Sequence, residues 1–376
     1  MSDKLSILYI AYPLLTVTPE SAGGAEQMLL AIEREMHAAG HSTTIAAAHG
    51  SEVHGRLLAT GRAANGADQF DERDRRHSAS ILRHLQLHPT EFDLIHDHSG
   101  SFFRHAVHCP LPVLATLHLP RSFYREELFR DVVPQVRVPV DVVPQVRVPV
   151  LDANLGTLYF NGVSHSQAGS FADLPNFLGA IPNGIAVDHF PFTSAKRNYL
   201  LWLGRICEEK GPHLAIDAAQ KAGTPLMLAG QVYPFRYHRD YFNREIRPHL
   251  VNGSHVRFVD TPLHDQKLDL LRHARALLLT STAEETSSLV AMEAMACGTP
   301  VVAFRRGAFP EIVGDGETGF VVESLEEMTR AVGKVDRISP EACRARVEQH
   351  FSASRMAQDY QELYRQVLSS AKGLAA

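Results

Sequence analysis

The sequence predicts an α/β protein of two domains, each a parallel sheet covered by helices. Short apolar runs alternate with helix-period segments almost from end to end, the pattern of repeated βα units. The stretch IPNGIAVDHF at 181–190 supplies a Pro/Asn/Gly turn where one such series ends and another begins. The chain of 376 residues also exceeds the size, about 250–300 residues, at which a single core stops growing.

In chain order, the apolar runs 6–11, 43–48, 92–96 and 113–117 read as strands buried on both faces. Between the first two, residues 25–39 place Leu29, Ile32 and Met36 on one helical stripe, and Gly40 stops that helix. Residues 131–140 and 141–150 are both DVVPQVRVPV; two prolines per copy forbid a helix and predict an extended loop. Beyond the turn, strands are expected at 199–203, 226–229, 256–259, 276–280 and 301–304, with helices at 213–221 and 289–296 among the connections.

Composition narrows the functional classes. A net charge of −5 gives no global basic field for nucleic acid. Cys109, Cys207, Cys297 and Cys343 are scattered without CxxC spacing, which reads as reduced thiols in a cytoplasmic chain rather than a disulfide or zinc framework. The N-terminal apolar run ends at Pro13 and reads as a buried first strand, not a signal peptide. No run approaches 18 apolar residues, so no membrane-spanning helix is expected; peripheral contact with the inner membrane face stays open.

In open α/β sheets, ligands sit outside the carboxyl ends of strands. Four places there carry unusual residues. Gly23 and Gly24 precede the first helix, where bare backbone and a helix N-terminus suit an anion. Arg205 and Lys210 follow the 199–203 strand, a guanidinium and an ammonium suited to a diphosphate. Glu285 stands at a strand-to-helix turn and Glu293 eight residues later in an apolar helix. Were the intervening residues helical, the two would lie about 12 Å apart, too far for a shared acid/base pair but matched to two ends of one ligand. The N–H groups near Ser287, Ser288 and Leu289 would face phosphates between them, and a buried Glu293 would need a cationic or hydroxyl partner. His118 ends the 113–117 strand and could bond a sugar hydroxyl; His96, Asp97 and His98 end another and offer a weak metal-ligand pattern. No G-x-G-x-x-G follows the first strand, which argues against a dehydrogenase.

These segments together resemble the retaining glycosyltransferases of family 4, the group 1 glycosyl transferases. The resemblance runs from GGAEQMLLAIEREMHAAGH at 23–41 through TLH at 116–118, VSHSQ at 163–167, IPNGIAVDHF and LGRICEEKG at 203–211. Its most specific part is ETSSLVAMEAMACGTPVVAF with GAFPEIVGDGETGFVV, between 285 and 322. It implies the GT-B fold: two Rossmann-like domains with parallel sheets facing across a cleft. Residues 1–182 would form the acceptor-side domain and 183–350 the nucleotide-sugar domain, while 351–376 would supply a helix that packs back on the first.

By position, the resemblance implies that Gly23 and Gly24 approach the donor phosphates and that Arg205 and Lys210 neutralise the diphosphate leaving group. Glu293 would hold the ribose, Glu285 would face the sugar, and His118 would bond that sugar near the reacting carbon. The reaction implied is metal-independent, retaining transfer of a hexose from a UDP-, GDP- or ADP-sugar to a hydroxyl acceptor, with no cofactor. The alternatives are a GT-B epimerase or hydrolase acting on nucleotide sugars and a non-catalytic sugar-nucleotide binder. Ser287-Ser288 stands where family members commonly have Phe-Gly, so the donor sugar does not follow from the resemblance.

Overall fold

A computed structural model describes residues 4–19, 21, 23–63, 69–124, 126–130, 157–251 and 253–374. The duplicated decapeptide at 131–150 lies outside the described residues. The chain divides into two compact units, Met1–Pro182 with Met356–Ala376, and Asn183–Arg355.

The first unit holds seven strands: β1 Ser6–Ile10, β2 Ser42–Ala47, β3 Arg56–Ala59, β4 Leu94–Asp97, β5 Val113–Leu117, β6 Leu158–Gly162 and β7 Phe177–Ala180. They form one parallel sheet in the order β3-β2-β1-β4-β5-β6-β7. The second holds β8 Leu200–Leu203, β9 Leu226–Gly230, β10 Val256–Asp260, β11 Ala276–Leu279, β12 Val301–Phe304 and β13 Gly319–Val322. These are also parallel, in the order β10-β9-β8-β11-β12-β13. Every strand read from the apolar runs is present, with no end displaced by more than two residues. Strands β3, β6, β7 and β13 were not among the expected ones.

Both sheets follow from burial. Leu8, Ile10 and Ile95 pack with Ile81 and Leu85 of the helix Phe70–Leu87, while Leu200, Trp202 and Leu228 pack with Ala215 and Ala219 of the helix Pro212–Lys221. The helix Gly24–Ala38 buries Leu29, Ile32 and Met36 as its stripe requires, and Gly40 ends it at φ +85°. It also buries Glu33. That carboxylate accepts hydrogen bonds from Thr43 Oγ1 (2.7 Å) and from the N–H groups of His54 (3.1 Å) and Gly55 (2.7 Å), so the charge is fully partnered.

The first unit encloses a polar layer under the helix Ala353–Leu374. Tyr364 from that helix hydrogen-bonds His96 Nδ1 at 2.7 Å, and His96 Nε2 meets Thr116 Oγ1 at 2.7 Å. Asn161 Nδ2 donates to the Tyr360 hydroxyl at 3.2 Å, and His98 Nδ1 lies 2.9 Å from His118 Nε2. Burial pushes the pKa of His96 and His98 well below the ordinary value and that of His118 down to about 4.

Gly230 has φ +147°, and a Cβ there would stand 1.7 Å from the Gly204 carbonyl oxygen. Gly230→Ala should therefore cost at least about 2 kcal/mol in urea unfolding, and an unchanged midpoint would contradict this. These three imidazoles, His96 and His98 buried and His118 partly so, are neutral in the fold and gain protons on unfolding once pH falls below their ordinary value of 6.5. Stability should be complete above that pH and fall toward about pH 4. Asp97, raised to about 6 by burial, and Glu26, also raised, act in the opposite sense, two carboxyls against these three imidazoles and His77, which burial lowers to about 3. Urea midpoints between pH 7 and 4 should drop less steeply in His118→Gln than in the unaltered chain (~1 proton less taken up on unfolding); identical slopes would exclude the linkage.

Candidate functional site

The order of the second sheet reverses direction at β8 and β11, which are neighbours whose successors lie on opposite sides. Loops leaving their carboxyl ends diverge there, the usual position for a ligand in this architecture. The loop after β8 carries Arg205 and Lys210, and the loop after β11 carries Glu285, Ser287 and Ser288. Local chemistry stitches the two loops together. Trp202 Nε1 donates to Thr280 Oγ1 at 3.1 Å, and that hydroxyl donates to the Gly211 carbonyl at 2.7 Å. Ser281 Oγ and Thr282 N both donate to the Glu209 carbonyl at 3.0 Å. Gly211 permits the approach: it sits at φ +63°, and a Cβ would meet the Thr280 carbonyl oxygen at 2.3 Å.

Within this frame Lys210 Nζ pairs with Glu285 Oε1 at 2.6 Å. A third loop, after β12, braces Glu285 from behind. Ala308 N donates to the Glu285 carbonyl at 2.7 Å and Gly307 N to the Glu284 carboxylate at 2.6 Å. Arg205 is 42% exposed, with its guanidinium 3.7 Å from Glu209 and 5.7 Å from the centre of the Tyr233 ring. Both cations thus already face carboxylates, and an anionic ligand would have to draw them away.

The helix forms over Leu289–Ala296, as the sequence predicts, and does not extend back to Glu285. It begins only at Leu289, so the 12 Å spacing inferred from continuous helix is replaced by an irregular stretch followed by one turn. The cause is local. Ser288 is the N-cap, its Oγ accepting from Ala291 N at 3.3 Å, and the Glu285 backbone is committed to the β12 loop. Ser287 consequently lies before the helix, and Leu289 is its first residue.

Glu293 is only 4% exposed. Its Oε1 takes a 2.7 Å ion pair from Lys267, on the helix His264–His273, while Oε2 is buried with no hydrogen-bond partner among the described residues. Ser287 Oγ is buried and unpartnered in the same way. Two polar atoms deprived of both water and protein partners, one residue before and five residues after the N-cap Ser288, mark where a ligand's polar groups would be stabilised. Lys267 was not among the residues singled out from the sequence. A buried Glu293 demands a cation, but sequence spacing does not say which lysine the fold delivers.

In the first unit, Gly23 is the N-cap of the helix Gly24–Ala38, with extended backbone and no side-chain cap. The buried Glu26 folds back there, its carboxylate 1.9 Å from where a Gly23 Cβ would be, so Gly23 makes room for a side chain of its own helix. Burial raises the Glu26 pKa, a carboxyl not singled out from the sequence. His118, partly buried, stacks on His98 with ring centres 5.1 Å apart, and its backbone N–H donates to the Tyr124 hydroxyl at 3.1 Å. Asp97 accepts from Ser99 N and Phe103 N, both at 2.8 Å, so the 96–98 cluster uses its polar atoms on the fold rather than converging on a metal.

Residues 187–348 match the family described as Glycosyl transferases group 1. The glycogen synthase of Mycobacterium tuberculosis is 36% identical over 148 residues, 37% of this chain and 34% of that protein. The D-inositol 3-phosphate glycosyltransferase of Acidothermus cellulolyticus is 27% identical over 299 residues, 71% of this chain and 64% of that protein. The chain therefore spans between about a third and two thirds of the length of these relatives. Among solved structures, the sucrose-phosphate synthase of Thermosynechococcus elongatus superposes with a TM-score of 0.75 at 19% identity, covering 98% of this chain and 100% of that one. Anabaena HepE in complex with UDP and glucose gives 0.70 at 18%, covering 96% and 100%. The two parallel sheets are those of the GT-B fold, and within the second unit residues 187–348 are similar to the group 1 glycosyltransferases.

Proposed function

We propose that the chain is a retaining, metal-independent glycosyltransferase that moves a hexose from a nucleoside-diphosphate sugar to a hydroxyl acceptor. The observation that carries this reading is the Glu293 carboxylate, fixed by Lys267 through one oxygen and left without a partner at the other, beside loops bearing Lys210 and Arg205. Such an oxygen suits a pair of ribose hydroxyls, which can only donate to it. Solved relatives support a nucleotide in this role: HepE is described with UDP and glucose, and a starch synthase of Arabidopsis thaliana with ADP and acarbose. A GDP-mannose-dependent mannosyltransferase of Mycolicibacterium smegmatis is 25% identical over 303 residues, so relatives carry uracil, adenine and guanine nucleotides alike.

The chemistry follows from where charge develops. Cleavage at the anomeric carbon leaves negative charge on the diphosphate, which Arg205, Lys210 and the amides around Ser287, Ser288 and Leu289 would offset. As the phosphate draws Lys210 toward it, Glu285 is released from its ion pair and can face the electron-deficient sugar. The departing phosphate accepts the acceptor's proton on the same face, which gives retention without a carboxylate base. His118 bonds a sugar hydroxyl as a neutral imidazole, its low pKa keeping it uncharged at neutral pH. Gly23 and Gly24 approach the phosphates once Glu26 turns aside. Four buried free thiols, Cys109, Cys207, Cys297 and Cys343, fit a cytoplasmic location where nucleotide sugars are made. Among the described residues no helix is long and apolar enough to cross a membrane.

A thermal-shift screen of UDP-, GDP- and ADP-sugars should identify one selective stabilising donor, and stabilisation by none would remove the reading. Glu293→Ala and Lys210→Ala should each weaken nucleoside-diphosphate binding by about 10-fold or more, measured by calorimetry. His118→Ala should retain that binding and slow transfer about 100-fold. Free sugar or an epimerised donor as the sole product would favour the hydrolase or epimerase alternatives, and donor binding with no released nucleoside diphosphate would favour a binder.

A further inference from the structure

Close to Arg205, but turned toward a different neighbour, the loop after β8 meets the short helix Arg236–Tyr241. Cys207 is fully buried there in extended conformation, and Glu209 follows two residues later. His238, in the first turn of the facing helix, is 1% exposed under a shell of Tyr233, Phe235 and Tyr237, whose ring centres lie 5.8, 5.7 and 4.2 Å from its own. Neither ring nitrogen of His238 has a hydrogen-bond partner among the described residues. One ring nitrogen, the Cys207 Sγ and a Glu209 carboxylate oxygen all lie within 4.8 Å of one another.

An imidazole that loses water at both nitrogens and gains nothing in return is a costly group to bury. A cation would repay both the imidazole and its neighbours. The ligand set selects the class: thiolate, imidazole and one carboxylate suit a zinc-like ion, whereas magnesium and calcium take oxygen ligands alone. Tetrahedral bonds of about 2.0–2.3 Å would put the ligand atoms roughly 3.3–3.7 Å apart, a closure of about 1 Å. The half-exposed Glu209 side chain has the freedom to supply it.

We propose that Cys207, Glu209 and His238 are the three protein ligands of a zinc-class divalent cation, with the fourth position open to water or a small anion. In the metal-free chain the thiol is held protonated, pushed up to about 12 by burial and by its hydrogen bond to Glu209. The cation takes the place of that proton between sulfur and carboxylate, and the proton leaves to solvent. Binding also draws Glu209 away from Arg205, leaving the guanidinium to an anionic ligand. This last consequence rests on the donor reading above, whereas the cation site stands independently of it.

The test uses the full chain, reduced, freed of metal and without nucleotide. Titration with Co2+ should produce a thiolate-to-cobalt charge-transfer band saturating at one equivalent, and Zn2+ should bleach it. Cys207→Ser should abolish the band, and His238→Gln should weaken Co2+ uptake at least 10-fold, with circular dichroism confirming that each variant is folded. No band in the unaltered folded chain overturns the site, and so does a band that survives Cys207→Ser or is undiminished in His238→Gln. If either variant fails to fold, the stoichiometry and charge-transfer band of the unaltered chain still decide. A chain that binds cobalt in this way but no nucleoside diphosphate would uphold the site while removing the donor reading.

Discussion

A parallel strand can reach its neighbour only by crossing over a face of the sheet, and both units are governed by that constraint. Crossover helices cover the middle of each sheet, so central strands such as β1, β4, β5, β8 and β11 are buried on both faces and read as nearly continuous apolar runs. The same constraint gathers all the strand-to-helix loops at one end. Where β8 and β11 lie side by side, their loops part, and the residues in them are relieved of core packing. The Thr280 hydroxyl then fixes the loops to each other, receiving from Trp202 below and donating to Gly211 beside it. Two loops that could move independently are thereby held as one scaffold under Lys210 and Glu285.

The second governing contact is the Glu293–Lys267 ion pair. A carboxylate in an apolar helix is costly unless it is partnered, and one ammonium satisfies only one of its oxygens. The remaining cost is borne by the fold in advance, as is that of Ser287 Oγ. A ligand that supplies donors to these atoms recovers it, which favours specific binding over tighter packing of the unliganded chain. Lys210 and Glu285 show a different arrangement, in which two opposite charges neutralise each other until a third group competes for one of them.

The sequence was most legible where a residue's environment is local. Leu29, Ile32 and Met36 declare their helix by spacing alone, and the strand at Val113–Leu117 is an uninterrupted apolar run. Strand β3 escaped because Arg-Leu-Leu-Ala is short and only partly buried, and β6 because Asn161 and Gly162 interrupt its apolar character. The Leu289–Ala296 helix was legible at its observed bounds, and the Ser288 side-chain bond is what keeps it from extending back toward Glu285. Lys267 and His238 were invisible for a further reason: their significance comes from Glu293, 26 residues on, and from Cys207, 31 residues back. Neither pairing leaves a periodic trace.

The bond between His96 and Tyr364 joins residues 268 positions apart. The helix that carries Tyr364 is the last element of the chain, while the sheet it covers is among the first. During synthesis, the whole of the second unit therefore leaves the ribosome before the first can bury its histidines. The unit begun first is completed last, and until then the polar layer around His96, Thr116 and Asn161 faces water instead of protein. Contacts of such sequence separation are slow to form, because the intervening chain must be brought together before they return any free energy. Maturation of the layer around His96, Thr116 and Asn161 is thus timed by the helix that follows the second unit.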